Sequence, residues 1–300
     1  MSKEIIILDG GMGRELARRG APFRQPEWSA LALMEAPHFV RQAHDAFIAA
    51  GSQVITTNSY AVVPFHIGEQ RFAEHGPRLI RLAASLARDA ANAAGHPVSV
   101  AASLPPVLGS YRPDLFNPEQ ARKLMQVMIE NQRDAADLWL AETLSSLAEA
   151  HFVAEMLNGD DRPLWLAFTL NDELTPSGRA VLRSGEAVSA AVSMAVGCGA
   201  EAILFNCSRI EVMTSAVCEA QETLQSLTRP VAIGVYANAF DPSDAKHGAN
   251  EGLSEMRKDT GPQSYLTFAR EWVTSGASII GGCCGIGPEH IAVLSKTLNN

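Results

Sequence analysis

Short apolar runs recur along the chain, and each is followed by a longer segment of mixed polar and apolar positions. The runs comprise residues 5–8, 54–57, 98–102, 138–141, 164–168, 202–205, 231–235 and 278–280. Their apolar residues are mostly continuous rather than alternating, which is typical of parallel strands buried on both faces. Strands that alternate with helical segments and number eight predict an α/β fold, a (β/α)8 TIM barrel, rather than an open sheet.

One domain is predicted for residues 1–300, because no linker or low-complexity segment divides the chain. A single barrel of this kind commonly takes about 250 residues, with further residues in loops. Two helix starts can be placed from local patterns. Asn117 offers a capping side chain directly before Pro118, which suits the first position of a helix. Gly287 stands at the corresponding position before Pro288.

The composition is that of a globular enzyme, with 47% hydrophobic and 19% charged residues. A formal net charge of -9 disfavours nucleic acid and anionic membranes as partners and leaves a small molecule as the expected substrate. We expect a cytoplasmic protein, because the amino terminus has no signal-peptide pattern and no apolar run is long enough to span a bilayer. Nothing in the sequence specifies an oligomeric state.

Five cysteines in a chain without an export signal indicate thiols and a metal site rather than a disulfide framework. Cys207 ends the sixth apolar run, and Cys283 and Cys284 follow the eighth between flanking glycines. Neighbouring side chains on a regular strand point to opposite faces, so the two adjacent cysteines can face one ion only where glycines let the backbone bend. Alternate strands of a barrel share a layer, which brings Cys207 to the same height. Packing of the cysteines as small buried side chains is the alternative interpretation.

Three thiolates would hold Zn2+ with one position open, which is the mark of a catalytic site. A thiol substrate bound there would lose its proton and become a nucleophile for an activated methyl group. Hydrolysis by zinc-bound water is a weaker interpretation, because three thiolates already donate heavily to the metal. Cys198 and Cys218 fall in helical segments, where we expect them to pack.

Other polar residues also follow predicted strands. Glycines of residues 10–13 lead into a helical segment and could aim backbone N–H groups at a carboxylate, or could form a plain tight turn. Asp9 and Glu142 lie at the same predicted barrel mouth and could bind a substrate ammonium, with capping or a salt bridge as the alternative.

Together, these residues resemble the motifs of the homocysteine S-methyltransferase family over nearly the whole chain. The matching segments are Leu8-Asp9-Gly10-Gly11-Met12-Gly13-Arg14-Glu15-Leu16, Glu142-Thr143, Asn206-Cys207-Ser208, and Gly281-Gly282-Cys283-Cys284-Gly285 with Pro288-Glu289-His290. The resemblance implies a zinc-dependent enzyme that methylates the thiol of homocysteine to give methionine. It implies three zinc ligands, Cys207, Cys283 and Cys284.

The resemblance also implies how the substrate is bound. Asp9 and Glu142 are implied at the homocysteine amino group, and the amides of Gly10 and Gly11 at its carboxylate. Thr143 belongs to the same fourth-strand motif. Asn238 falls where some relatives have an asparagine able to occupy the resting metal.

The identity of the methyl donor is the least specified feature. Two long loops, 104–117 and 238–261, have lengths typical of lids or binding elements, or of mobile insertions, and they depart from the pattern of S-methylmethionine enzymes. The chain has no folate or cobalamin module, so S-methylmethionine or S-adenosylmethionine is the favoured donor, with betaine behind. Tyr60 and Tyr111 could hold such a cation on their ring faces or could simply pack. The alternative function is a zinc- and thiol-binding barrel without methyl transfer, acting in binding or regulation.

Overall fold

Eight parallel strands form one sheet in the computed structural model, which describes residues 4–227, 229–239 and 257–299. The sheet order is β1-β8-β7-β6-β5-β4-β3-β2. A parallel bridge between Leu8 and Val54 then joins its two ends and closes the barrel. The strands are β1 (Ile6–Ile7), β2 (Val54–Thr56), β3 (Ser99–Leu104), β4 (Leu138–Leu144), β5 (Leu164–Phe168), β6 (Ala202–Asn206), β7 (Ala232–Tyr236) and β8 (Ile279–Ile280).

The predicted (β/α)8 barrel is therefore confirmed, and every predicted apolar run contains a strand. The main difference lies at the carboxyl ends of β3 and β4, which continue to Leu104 and Leu144. The predicted strands end earlier, at residues 102 and 141, because Ser103 and Glu142 interrupt the apolar runs. In the structure these polar side chains are buried at the carboxyl mouth of the barrel and remain part of the strands.

Helices surround the sheet. They are α1 (Met12–Arg18), α2 (Ser29–Glu35), α3 (Pro37–Ala49), α4 (Pro64–Ile67), α5 (Glu69–Asn92), α6 (Pro118–Glu130), α7 (Leu147–Met156), α8 (Val188–Gly197), α9 (Ile210–Gln225), α10 (Pro262–Ser275) and α11 (Pro288–Leu298), with a short 3-10 helix at Pro113–Leu115. Both predicted helix starts are confirmed: the Asn117 side chain accepts the Gln120 N–H at 3.1 Å, and α11 begins at Pro288. None of the described helices is long and apolar enough to cross a membrane.

The apolar core has two main parts. A large cluster fills the space between the sheet and the helices, and a smaller one fills the barrel interior. The interior cluster includes Tyr236, and the half-buried Cys283 packs against it. The filling of the barrel thus ends where the cysteines begin. Its members are Leu8, Val54, Ala101, Leu138, Leu140, Trp165, Ala167, Ala202, Leu204, Tyr236 and Ile279.

Cys198 and Cys218 do not pack into this core, contrary to the expectation from sequence. Both are exposed. Cys198 caps the carboxyl end of α8, and Cys218 lies on the outward side of α9, between the buried Val217 and Glu219. Helical residues separated by one position point in different directions, so membership of a helix alone did not specify burial.

Candidate active site

The three cysteines meet at the carboxyl mouth of the barrel. Cys207 directly follows β6, and Cys283 and Cys284 follow β8, with β7 between the two strands. Their sulfur atoms all lie within 4.8 Å of one another, and the Cα atoms of Cys207 and Cys283 are 5.6 Å apart. Among the described residues, no other group of three His, Cys, Asp or Glu side chains converges in this way.

Two of the sulfurs are covalently joined. Cys207 and Cys283 form a disulfide of 2.10 Å, and Cys284 is a free thiol whose sulfur lies 4.0 Å from that of Cys283. The sequence analysis predicts three free thiols at this position, whereas the structure has one free thiol and a disulfide. Its physical reason is the convergence itself, because sulfurs close enough to share one metal ion are also close enough to oxidise to a disulfide. Only the reduced pair can offer thiolates to a metal.

The end of β7 holds both cysteine loops in place through its backbone. The N–H of Cys207 donates to the carbonyl of Tyr236 at 3.3 Å, and the N–H of Cys283 donates to the carbonyl of Ala237 at 2.9 Å. In return, Ala239 donates to the carbonyl of Cys284 at 2.9 Å. Asn238 donates its N–H to Ser208, the residue after Cys207, so it lies beside the sulfur cluster.

Cys284 shows how costly an unpaired thiolate would be at this position. Burial raises its pKa to about 11, and the nearby charge of Arg14 opposes that rise only in part. This half-buried thiol therefore stays protonated near neutral pH unless a cation compensates the thiolate. Three converging sulfurs are the soft ligand set that zinc favours. The donor atoms of this cluster accordingly fit a zinc ion.

Two carboxyl groups, Asp9 and Glu142, are buried at the same mouth. The oxygens of Asp9 accept the N–H and hydroxyl of Thr56 at 2.7 and 3.2 Å. Glu142 accepts hydroxyl groups from Ser103 at 2.5 Å and from Tyr236 at 3.4 Å. Burial raises the pKa of each carboxyl to about 7, and the charge of Glu142 adds to the rise at Asp9. Two such acids would be held ionised by a bound cation, and a substrate ammonium has that charge.

The glycine loop after β1 packs against the cysteine loop. A Cβ atom at Gly10 would lie 2.3 Å from the carbonyl oxygen of Ile286, and one at Gly11 would lie 2.5 Å from that of Cys283. The N–H of Gly11 donates to Ile286 at 2.9 Å. The resemblance assigned this amide to a substrate carboxylate, and in this structure the Gly11 N–H is hydrogen-bonded within the protein. Its N–H is used to join the two loops.

Thr143 and Cys207 both adopt left-handed backbone conformations, with φ of 59° and 48°. Such conformations cost about 1–3 kcal/mol for a residue other than glycine and persist only where the surroundings hold them. The side chain of Asn206, two strands away from β4 in the sheet, contacts Thr143. Its Oδ1 accepts the Thr143 N–H at 3.1 Å, and its Nδ2 donates to the Thr143 hydroxyl at 2.9 Å. The fourth-strand and sixth-strand motifs are thus directly joined.

Comparison with known proteins decides the family. The family model described as homocysteine S-methyltransferase matches residues 6–298. The chain belongs to the homocysteine S-methyltransferase family. It is 32% identical to the homocysteine S-methyltransferase of Escherichia coli strain K12, with 97% of this chain and 94% of that protein aligned. It is 26% identical to a selenocysteine methyltransferase of Astragalus bisulcatus, with 98% of this chain and 92% of that protein aligned.

Solved structures agree with this assignment. The metallated form of the homocysteine methyltransferase MmuM from Escherichia coli superposes with a TM-score of 0.75 at 28% identity, covering 98% of this chain and 96% of that one. The oxidised form of the same enzyme gives a TM-score of 0.76 at 28% identity, covering 97% and 95%. The sequence-based assignment to this methyltransferase family of enzymes is confirmed.

In this family member, the loop 104–117 lies against the site through two tyrosines. The Tyr60 hydroxyl is 2.6 Å from that of Ser110, and burial raises the pKa of Tyr60. Tyr111 has a left-handed φ of 62°, and the guanidinium of Arg183 lies 5.2 Å from the centre of its ring. A cation of the protein itself therefore stacks on Tyr111. The segment 240–256, which contains most of the other long loop, lies outside the described residues.

Three residues of the site were assigned no function of their own from the sequence, although Asn206 belongs to the matching sixth-strand motif: Ser103, Asn206 and Tyr236. Ser103 and Tyr236 donate to Glu142, and Asn206 holds Thr143. All three are buried at the carboxyl ends of strands. A polar side chain near the end of an otherwise apolar barrel strand was the available signal, because that end carries the active site in such folds.

Proposed function

We propose that this protein transfers a methyl group from a small cationic donor to the thiol of homocysteine, giving methionine, in a reaction that depends on zinc. The observation that carries the proposal is the joint placement of a convergent sulfur trio and two buried carboxyls at one barrel mouth. Membership of the homocysteine S-methyltransferase family supports it. Relatives named for homocysteine methylation align along almost their whole length.

Cys207, Cys283 and Cys284 are the proposed zinc ligands, after reduction of the disulfide between the first two. Bound zinc supplies a Lewis acid that favours the deprotonated form of a coordinating thiol. The E. coli relative whose structure is described as metallated supports a metal-dependent enzyme. Asn238 is a candidate to approach the metal in the resting enzyme, because its backbone is bonded beside Cys207.

Asp9 and Glu142 are proposed to bind the homocysteine ammonium. Both carboxyls are buried, and burial raises the pKa of each to about 7. An ammonium placed between them would therefore stabilise both in the ionised form. The substrate carboxylate is assigned to the loop around Gly10. Gly11 contributes the close approach of that loop to Cys283 rather than a free N–H. Thr143 orients the strand end that carries Glu142.

The favoured methyl donor is S-methylmethionine or S-adenosylmethionine, with betaine next. A sulfonium that gives up its methyl group leaves as a neutral thioether, so the donor needs no separate acid. Tyr60 is the proposed ring face for the cation. Tyr111 already carries Arg183 near its ring, so a donor would share that residue with the guanidinium.

An assay of the reduced, zinc-loaded protein tests the proposal. Homocysteine is supplied with S-methylmethionine, S-adenosylmethionine or betaine in turn, and methionine is measured, with selenocysteine as a second acceptor because one relative is named for it. Methionine formation with at least one sulfonium is expected, and the Cys284→Ser protein is the inactive control. A barrel with only a binding role would bind homocysteine and zinc without making methionine from any donor. With a chiral methyl donor, inversion is expected for direct transfer, whereas retention would contradict it.

A further inference from the structure

We propose that Asn206 is a positioning residue for homocysteine binding, acting through Thr143 on the carboxylate of Glu142. This inference rests on the proposed function, because it concerns how the site holds the homocysteine ammonium. Asn206 is the last residue of β6 and is completely buried. It directly precedes Cys207, so one residue joins the metal-ligand side of the site to the ammonium side.

The contact crosses one strand of the barrel. β5 lies between β4 and β6 in the sheet, yet the Asn206 side chain reaches Thr143 on β4. This is the geometry of inward side chains on alternate strands, which share a layer in a barrel. Both ends of the Asn206 amide are used, one as an acceptor at 3.1 Å and the other as a donor at 2.9 Å.

The contact lies where the regular pairing of β4 with β5 is interrupted. The register between β4 and β5 shifts between Ala141 and Leu144, so Glu142 and Thr143 form an irregularity in the strand pairing. A bulge of this kind leaves a residue unpaired and re-aims a side chain. The N–H of Thr143 donates to Asn206. A side chain from β6 thus satisfies a backbone group at the irregularity and fixes its shape.

Glu142 depends on that shape. Its two oxygens accept from Ser103 on β3 and Tyr236 on β7, which lie on opposite sides of β4 in the sheet. These hydroxyls can fix the carboxylate only if the backbone of Glu142 presents it between them. Thr143, the next residue, has φ of 59° and is held by Asn206, so removing the amide releases the turn that aims Glu142.

Calorimetric binding of homocysteine to reduced, zinc-loaded protein tests the inference. Asn206→Ala is expected to weaken homocysteine binding about tenfold, as expected for two lost hydrogen bonds at a buried site, with zinc content unchanged. In a Glu142→Gln background the same substitution is expected to change the affinity by less than about twofold, because residues that act through one group are not additive. A residue that only stabilises the fold would give the same factor in both backgrounds.

Asn299→Ala is the matched control. Asn299 also uses both ends of its amide, accepting the Ile5 N–H at 3.1 Å and donating to the Ile5 carbonyl at 2.9 Å. Those contacts lie at the amino end of β1, away from the site. This variant should lower the melting temperature and leave homocysteine affinity unchanged.

Three results would overturn the inference: unchanged affinity in Asn206→Ala, equal effects with and without Glu142, or loss of zinc.

If Asn206→Ala does not fold, Thr143→Val takes its place, since it removes the hydrogen bond from the Asn206 amide nitrogen to the Thr143 hydroxyl while keeping the bond from the Thr143 backbone N–H. It is expected to weaken binding about threefold, again only while Glu142 is present. Wild-type protein that does not bind homocysteine would overturn the proposed function as well, whereas normal wild-type binding with an unaffected variant would overturn this inference alone.

Discussion

Cys207, Cys283 and Cys284 can be tested one side chain at a time. The reduced wild type is expected to bind about one zinc per chain, and the Cys207→Ser and Cys283→Ser proteins are expected not to, because three sulfurs are needed for a site with one open position. Metal analysis after dialysis checks this. Cys218→Ser is the control, since that cysteine is exposed on α9 and outside the cluster. Full zinc content in both cluster variants would show that the metal is held elsewhere.

Glu142→Gln is expected to weaken homocysteine binding by about 1.5–3 kcal/mol, the range for a hydrogen bond to a charged group, and to leave zinc bound. Titration calorimetry measures the affinity. Glu149→Gln is the matched control, because Glu149 is also a buried carboxyl with its pKa raised to about 7, but it caps α7. Its replacement should cost stability and not affinity. Loss of zinc from the Glu142 variant would instead make this carboxylate a metal ligand.

The raised pKa of Glu142 also predicts that the stability of the protein depends on pH. Burial raises the pKa of this acid from 4.5 to about 7 in the folded state. Its contribution to stability is therefore complete below pH 4.5 and is lost as the pH rises through about 7. Glutamine cannot ionise, so between pH 5 and pH 8 the Glu142→Gln protein should gain up to about 3 kcal/mol relative to wild type.

Urea denaturation at the two pH values, with reduced and metal-free proteins, measures that difference. The same carboxylate binds a substrate cation in the proposal, so homocysteine should restore wild-type stability at the higher pH by compensating its charge. Parallel pH profiles for the two proteins would mean that Glu142 is not the group that titrates.

At the scale of elements, the close packing of the loop after β1 against the loop after β8 can be tested by substituting glycine. Gly10→Ala is expected to destabilise the protein by about 1–3 kcal/mol, because the new methyl group would lie 2.3 Å from a backbone oxygen of the cysteine loop. Gly197→Ala is the opposite case, since a Cβ there has no atom within 4 Å and lies in the last turn of α8. That change should be neutral or stabilising by up to about 1 kcal/mol. Thermal unfolding of both variants provides the comparison, and equal destabilisation would contradict it.

Strand positions and the cysteine cluster were predictable from the sequence for a physical reason. Buried parallel strands must be apolar on both faces, and residues at alternate strand ends must share a layer, so Cys207 could be placed beside Cys283 without coordinates. The irregularity at Glu142 and Thr143 was not predictable, because it depends on Asn206, 63 positions further along the chain. The use of the Gly11 N–H was missed for the same reason, since its partner is Ile286.

At the scale of the whole molecule, the site joins the two ends of the chain. The backbone carbonyl of Asp9 accepts the N–H of Gly282 at 3.0 Å, and Gly11 donates to the carbonyl of Ile286. The first strand and its loop therefore form one wall of a site that takes two of its three sulfurs, those of Cys283 and Cys284, from the segment after β8. Closure of the barrel between β1 and β8 and assembly of the site are therefore one event.

The wide separation of Cys207 from Cys283 has a consequence for biosynthesis. At about 5–20 residues per second, a ribosome needs about 4–15 s to add the 76 positions between the first sulfur and the second. During that interval Cys207 has neither of its partners, and the strand that completes the ring has not been made. Under the proposed zinc dependence, a newly translated chain can thus assemble the three-sulfur site only after Cys283 and Cys284 have been added and β8 has paired with β1.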